Sequence, residues 1–214
     1  NTPTVIRILH TSYTNHQQTV SRSDSIMTEG MSIVHGKQNQ AGLQDLAEFE
    51  KYCYVVAGVV GELLTTIFGN HSRAFEKELA GHENLAIAFG QALQMTNILK
   101  DSPEDKARGV SWKPRDISQA ELLKIAYQKL QDSLQYILLI PKEELGMRRF
   151  CFLAFGLAVM TLTKIAQREE FNSKDEVKLS KSAVMKFYGF TKIAVKSDVL
   201  MKAFFYLNSR PLVK

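Results

Sequence analysis

The amino-acid sequence predicts an all-α fold. The 214 residues contain five prolines and twelve glycines, few enough to leave long uninterrupted stretches. Turn signals at the regular short spacing of a sandwich or barrel are missing. The composition, 45% hydrophobic and 23% charged, is that of one globular domain with a sizeable core, here residues 1–214.

Val5, Ile8 and Leu9, then Ile26, Met27, Met31 and Val34, give residues 5–34 a helical period at both ends, with a polar middle from Thr11 to Ser25. Residues 36–42, rich in Gly, Gln and Asn, read as a loop. A strong helix follows over 43–68. Within it Ala57, Gly58 and Gly61 are small enough for close approach, and since a helical glycine costs ~1 kcal/mol against alanine, a packing reason is expected. Residues 69–81 form a connector with a short helical piece, and the next helix begins near Glu83. Pro103 interrupts it. Either the helix kinks there, or it stops and Ser102 caps a new turn with Pro103 at its first position. Ser118 with Glu121 three residues on is a capping box opening a helix to Ile140, which Pro141 ends. Further helices are expected over 143–167 and, after a turn at 171–176, through the amphipathic chain to Leu207.

The formal net charge is +5. Its excess is C-terminal: eleven Lys or Arg against five Asp or Glu from residue 164 onward. Such a face suits anionic surfaces, diphosphates or membrane headgroups. No zinc-finger spacing, RNA-binding aromatic signature or compact basic block points to nucleic acid. Cys53 and Cys151 lie far apart in apolar runs, as buried reduced thiols do, so a reducing, cytoplasmic compartment is expected. The five histidines form no ligand pair. No leader pattern is evident, and the apolar run over 150–163 is short for a membrane span. It reads as a core helix.

Chemistry concentrates in residues 91–105, QALQMTNILKDSPED. Asn97, Asp101 and Asp105 fall at i, i+4 and i+8, so a continuous helix sets each ~40° round and ~6 Å along from the last. Gln94 falls on the same side. Carboxylate and amide oxygens at one-turn spacing suit a hard divalent cation whose other ligands are water or substrate phosphate. A solvated acidic edge would show the same spacing. Either fate for Pro103 would tilt Asp105 off the edge, leaving Asn97 and Asp101 the better-placed ligands.

Upstream stands YCYVVAGVVG from Tyr52 to Gly61, and downstream Arg108-Gly109 with Trp112 and Pro114. In this order the motifs resemble those of the squalene/phytoene synthase family, the head-to-head prenyl synthases, from about residue 27 to 186. Gly30-Met31 looks like the Gly-Met pair that precedes the tyrosine motif. The FCFLAFGLAVMTLT segment resembles a cavity-wall helix of squalene synthases, and VKLSK at 177–181 resembles their late basic stretch. YCY and the turn around Arg108-Gly109 lean instead toward phytoene synthases.

The resemblance implies an isoprenoid-synthase-type helical bundle around a central cavity. It implies that Asn97, Asp101 and Asp105 hold Mg²⁺, that Gln94 and Tyr52 orient substrate, and that Lys100 and Arg108 meet phosphate. Tyr52 would lie in the catalytic cavity, where a phenol is a better donor than base at neutral pH. Departures from the pattern are Lys100 for arginine, which loses the bidentate fork, Val110 in place of the arginine after Gly109, and Ala154-Phe155 for Pro-Gln. The family's first acidic motif has no counterpart, so the expectation is a partial domain lacking its N-terminal helices and inactive by itself.

The implied reaction is Mg²⁺-dependent head-to-head condensation of two farnesyl diphosphates to a C30 product through a cyclopropyl diphosphate, with NADPH required if that product is squalene. A phytoene-type synthase using geranylgeranyl diphosphate, needing no NADPH, is the alternative, and a catalytically silent assembly or interaction protein the third. The partner is a prenyl diphosphate, with peripheral contact at a membrane and no nucleic acid. Oligomeric state is not legible.

Overall fold

The computed structural model describes residues 21–28, 30, 32, 42–168 and 170–212. Every regular element among them is helical, beside one isolated bridge between Leu43 and Pro114. The expected helix over 5–34 is seen at 21–28, 30 and 32; its remainder, with Met31 and most of the loop at 36–42, lies outside the described residues.

Helix α1, Leu46–Cys53, starts from Asp45, whose side chain accepts the Glu48 amide. A π-helical turn, Tyr54–Gly58, joins it to α2, Val59–His71, in one continuous rod. The π turn holds a surplus residue. In a regular helix Tyr52 and Gly61, nine residues apart, would face opposite ways. Here both face the same neighbour, α4, Asn84–Ala107. A Cβ on Gly61 would stand 2.1 Å from the Ala86 carbonyl oxygen, and one on Gly90 would stand 2.0 Å from that of Ala57. The glycines therefore serve close helix packing. Gly90→Ala is expected to destabilise the fold by about 1–3 kcal/mol or more, read as a fall in urea midpoint, because backbone and not a flexible side chain blocks the space.

Short helix α3, Arg73–Leu79, fills the connector. Central helix α4 buries Phe89, Ala92, Met95, Ile98 and Leu99 and packs on α1, the π turn, α2, α5 and α6. It neither stops at Pro103 nor is recapped by Ser102. The carbonyl of Leu99, which the amide at position 103 would have bonded, accepts the Ser102 hydroxyl at 3.1 Å instead. Proline is thus housed inside α4 with its orphaned acceptor satisfied.

The Ser118–Glu121 capping box forms as expected and opens α5, Gln119–Leu139. Helix α6, Leu145–Ala166, carries the FCFLAFGLAVMTLT segment and buries Phe152, Phe155, Val159 and Leu162. Residues 171–176, expected as a turn, instead run into a one-turn helix, α7, Lys174–Val177, capped by Ser173. Helices α8, Lys181–Ala194, and α9, Asp198–Asn208, close the bundle over α6. Gly156 leaves room for the Phe187 ring, which would lie 1.9 Å from a Cβ there. Phe187 stacks on Phe204 at 4.7 Å, joining α6, α8 and α9 into one aromatic core.

Two helices, the Leu46–His71 rod and α6, reach the length and apolarity of a membrane span. About a third of the apolar stretch of the rod and half of that of α6 are buried against the rest of the described chain, and α6 also buries the charged Arg148.

Candidate active site

Tyr52 is buried at the end of α1 and stacks on Trp112, ring centroids 4.8 Å apart and planes within 8°. The C-terminal end of α4 fixes the tryptophan. Gly109 adopts φ +77°, so the Val110 amide turns back to the Asp105 carbonyl and the Gly109 amide to that of Lys106, at 2.9 and 3.0 Å. This is a Schellman cap. The following strand of loop is pinned to the start of α1 by the Arg115 amide on the Leu43 carbonyl, 3.1 Å. Val110, in the place of the expected arginine, is thus part of the cap, and Arg108 turns back to form an ion pair with Asp105 at 2.5 Å.

The Tyr52 hydroxyl is pushed up to about 12, chiefly by burial and then by the nearby Cys53 and Asp105, while the Gln94 side chain opposes the shift by hydrogen bonding. The structure therefore gathers Tyr52, Gln94, Asp105, Arg108 and Trp112 at one place. With its proton held this firmly, Tyr52 can donate a hydrogen bond to an anion and cannot act as a base near neutral pH. Comparing ultraviolet phenolate absorbance of the protein with that of Tyr52→Phe is expected to show no Tyr52 contribution through the ordinary phenol range near pH 10. A difference opening there would mean an accessible ring.

The other predicted residues face a second space. A cavity of about 380 Å³ lies between α4, α6 and the segment joining α7 to α8. Leu93, Ala154, Leu157, Ala158, Leu179 and Val184 make its apolar wall, and Asn97, Lys100 and Lys178 contribute polar groups. Lys100 Nζ lies 3.5 Å from Asn97 Oδ1 and 3.4 Å from Asp101 Oδ2. Asp101, half-buried, is thus tied to the cavity side of α4 through Lys100. Lys178 is brought there by Glu104, whose Oε1 accepts the Lys174 amide at 2.9 Å and so ties α7 to the end of α4. The FCFLAFGLAVMTLT helix and VKLSK meet in one wall. Sequence reasoning gave Trp112 and Glu104 no role; the aromatic after the Gly turn was the signal for the first, and nothing short of the fold marks the second.

Asp105 remains on α4 despite Pro103. What sets it apart is its partner Arg108 and its burial. Among the described residues no group of three or more His, Cys, Asp or Glu side chains converges. The donor set along α4, one amide and two carboxylates a turn apart, nonetheless has the chemistry a largely hydrated Mg²⁺ needs, since that ion takes one or two carboxylates and leaves its other positions to water and phosphate.

The squalene/phytoene synthase family model matches residues 1–124. The chain belongs to the squalene/phytoene synthase family. The squalene synthase of Cyberlindnera jadinii is 29% identical over 184 residues, covering 72% of this chain and 40% of that protein. That of Saccharomyces cerevisiae is 35% identical over 104 residues, covering 48% of this chain and 23% of that protein. The phytoene synthase of Thermus thermophilus is 40% identical over 74 residues, covering 35% and 23%. The matched stretches thus span 40% or less of the length of each of these relatives. A solved ligand complex of TcSQS superposes with a TM-score of 0.67 at 18% identity, over 92% of this chain and 69% of that one, and establishes that the helical bundle of the squalene/phytoene synthase family is shared.

Proposed function

We propose that the protein containing this chain joins two prenyl diphosphates head to head, with farnesyl diphosphate as substrate and squalene or a close C30 relative as product. The observation that carries this reading is the apolar cavity whose polar edge is the Asn97-Lys100 face of α4. A prenyl chain matches the wall of Leu93, Leu157, Leu179 and Val184, and its diphosphate matches Lys100, with Lys178 able to join by exchanging its partner Asp175, 3.6 Å away, for the anion. Asn97, Asp101 and Asp105 would hold Mg²⁺, which supplies Lewis-acid stabilisation of the charge on a departing diphosphate. Lys100 adds a fixed positive charge beside the same oxygens.

Tyr52, kept protonated and braced by Trp112, orients the anion through its hydroxyl, and Gln94 holds that hydroxyl in place. The apolar wall excludes water from the allylic cation once the diphosphate leaves. The double bond of the second chain attacks that cation, and loss of a proton to the departed diphosphate closes the ring to a cyclopropyl diphosphate; loss of the second diphosphate and rearrangement then give the linear skeleton as a cation, which hydride addition or loss of a further proton would neutralise. NADPH would supply the hydride for squalene and is not needed for phytoene from geranylgeranyl diphosphate. The two buried free thiols, Cys53 and Cys151, suit a reducing cytoplasmic compartment.

The test is product analysis of the full-length gene product with Mg²⁺ and labelled farnesyl or geranylgeranyl diphosphate, with and without NADPH. A C30 hydrocarbon dependent on NADPH is expected; a C40 product would reassign it to phytoene-type chemistry. A second reading, a silent family member acting as an assembly or interaction protein, draws on one observation: Asp105 is already closed by Arg108. Folded protein that turns over neither substrate would favour it.

A further inference from the structure

One wall of the cavity is not part of a long helix. The segment 174–180 supplies Lys178 and Leu179 to it, and the regular structure there is the four-residue helix α7. A single helical turn has no stability of its own, since helices shorter than about twelve residues are marginal in water. Val177 is the buried side chain of α7. Two charged side chains from other helices hold the backbone at either end. At the first residue, Glu104 Oε1 accepts the Lys174 amide at 2.9 Å and lies 3.5 Å from the Ser173 hydroxyl. At the far end, Lys164 Nζ on α6 donates to the Lys178 carbonyl at 2.7 Å. Both bonds join a charged group to backbone, the stronger class of hydrogen bond. They reach from α4 and α6, the two long helices that line the same cavity.

We propose that Glu104 and Lys164 are positioning residues: together they clamp the segment 174–178 to α4 and α6, so that Lys178 and Leu179 stand preset for a ligand with an anionic head and an apolar tail. The clamp is independent of any reaction, while the ligand rests on the one proposed above. Glu104 follows Asp101 by three residues, so spacing alone would offer it as a further cation ligand on the α4 edge. Its surroundings oppose that role. Oε1 is engaged by the α7 backbone, and Oε2 is buried with no hydrogen-bond partner among the described residues. A hydrated cation would have to displace α7 to use this carboxylate. A wall already in place lets the ligand bind without ordering the segment first. Lys178 meanwhile pairs with Asp175 of the same segment at 3.6 Å, an exposed pair that an anion exchanges at little cost.

The test pairs amide hydrogen exchange with ligand binding, in the full-length protein and its Glu104→Ala, Glu104→Gln and Lys164→Met variants. Exchange over 174–179 is expected to quicken about tenfold or more in Glu104→Ala and in Lys164→Met, with the amides of α6 unchanged as the sign of an intact fold. Glu104→Gln keeps an acceptor for the Lys174 amide and is expected to stay within about threefold of the parent. The binding probe is the thiolo analogue of farnesyl diphosphate, whose carbon–sulfur bond resists ionisation. Its affinity is expected to fall about tenfold in Glu104→Ala and to be restored in Glu104→Gln, with single-turnover rate at saturating farnesyl diphosphate within about threefold of the parent in both. Unchanged exchange over 174–179 in Glu104→Ala or in Lys164→Met would overturn the clamp. A Glu104→Gln variant as slow in turnover as Glu104→Ala, with a raised Mg²⁺ requirement, would overturn it too and make Glu104 a metal ligand. If the parent does not bind the analogue, the reaction proposed above and the preset ligand fall together, and the exchange rates still decide the clamp.

Discussion

Asp101→Ala in the full-length protein is expected to lower product formation by on the order of a hundred- to a thousandfold, with the substrate still bound. Asp101 is the carboxylate of the α4 edge one turn from Asn97 and paired with Lys100. Asp105 is turned to Arg108, and Asn97 offers only a neutral oxygen. On the proposed reading, removing Asp101 takes away the carboxylate that Arg108 does not hold and that would ligate Mg²⁺, and it also releases Lys100, which lies 3.4 Å from it. The measurement is single-turnover release of labelled diphosphate alongside equilibrium binding of an uncleaved substrate analogue. A loss of binding equal to the loss of rate would reassign Asp101 to substrate affinity. An unchanged rate would remove α4 from the chemistry altogether.

The largest stability effect is expected at Asp198. Its carboxylate bonds the guanidinium of Arg148, which is 1% exposed and whose Nη1 also donates to the Ile140 carbonyl at 2.9 Å. Lys142 approaches the second oxygen at 3.3 Å. This cluster joins the end of α5, the start of α6 and the start of α9. Asp198→Asn leaves a buried guanidinium without a counter-charge, a change worth about 3–5 kcal/mol in such settings. Urea or thermal unfolding will read it.

The same group gives a pH dependence. Partial burial raises the Asp198 pKa, but hydrogen bonding and charge from Arg148 and then Lys142 outweigh it, so the net shift is downward. Its contribution to stability is therefore fully present above the unfolded carboxylate value near 3.9 and is lost as pH falls through the lower folded value. The native protein should accordingly lose part of its stability below about pH 4, and Asp198→Asn should lose less over the same interval.

Periodicity and capping made the helices legible. The Ser118 box, the start near Glu83 and the end at Pro141 are local signals, and local hydrogen bonding honours them. The π turn was not legible, because its one weak helix former, Gly58, reads equally well as a close-packing residue of a regular helix; the surplus residue is accommodated by the close approach of Gly58 and Gly61 to α4, a tertiary cause. Pro103 looked like a boundary because propensity weighs the residue alone, whereas the hydroxyl beside it repairs the missing bond. For the site, the spacing of Gln94, Asn97, Asp101 and Asp105 located one helix edge. It could not tell that Gln94 and Asp105 turn toward Tyr52 while Asn97 and Lys100 turn toward α6. That division depends on which helices flank α4, and only the packed chain supplies it.

The Ser102 hydroxyl on the Leu99 carbonyl couples two neighbouring positions. A proline at 103 leaves that carbonyl without its helical donor, and the hydroxyl at 102 supplies another. Ser102→Ala is therefore expected to cost more beside Pro103 than beside an alanine at 103, and a double-mutant cycle on unfolding will read the difference.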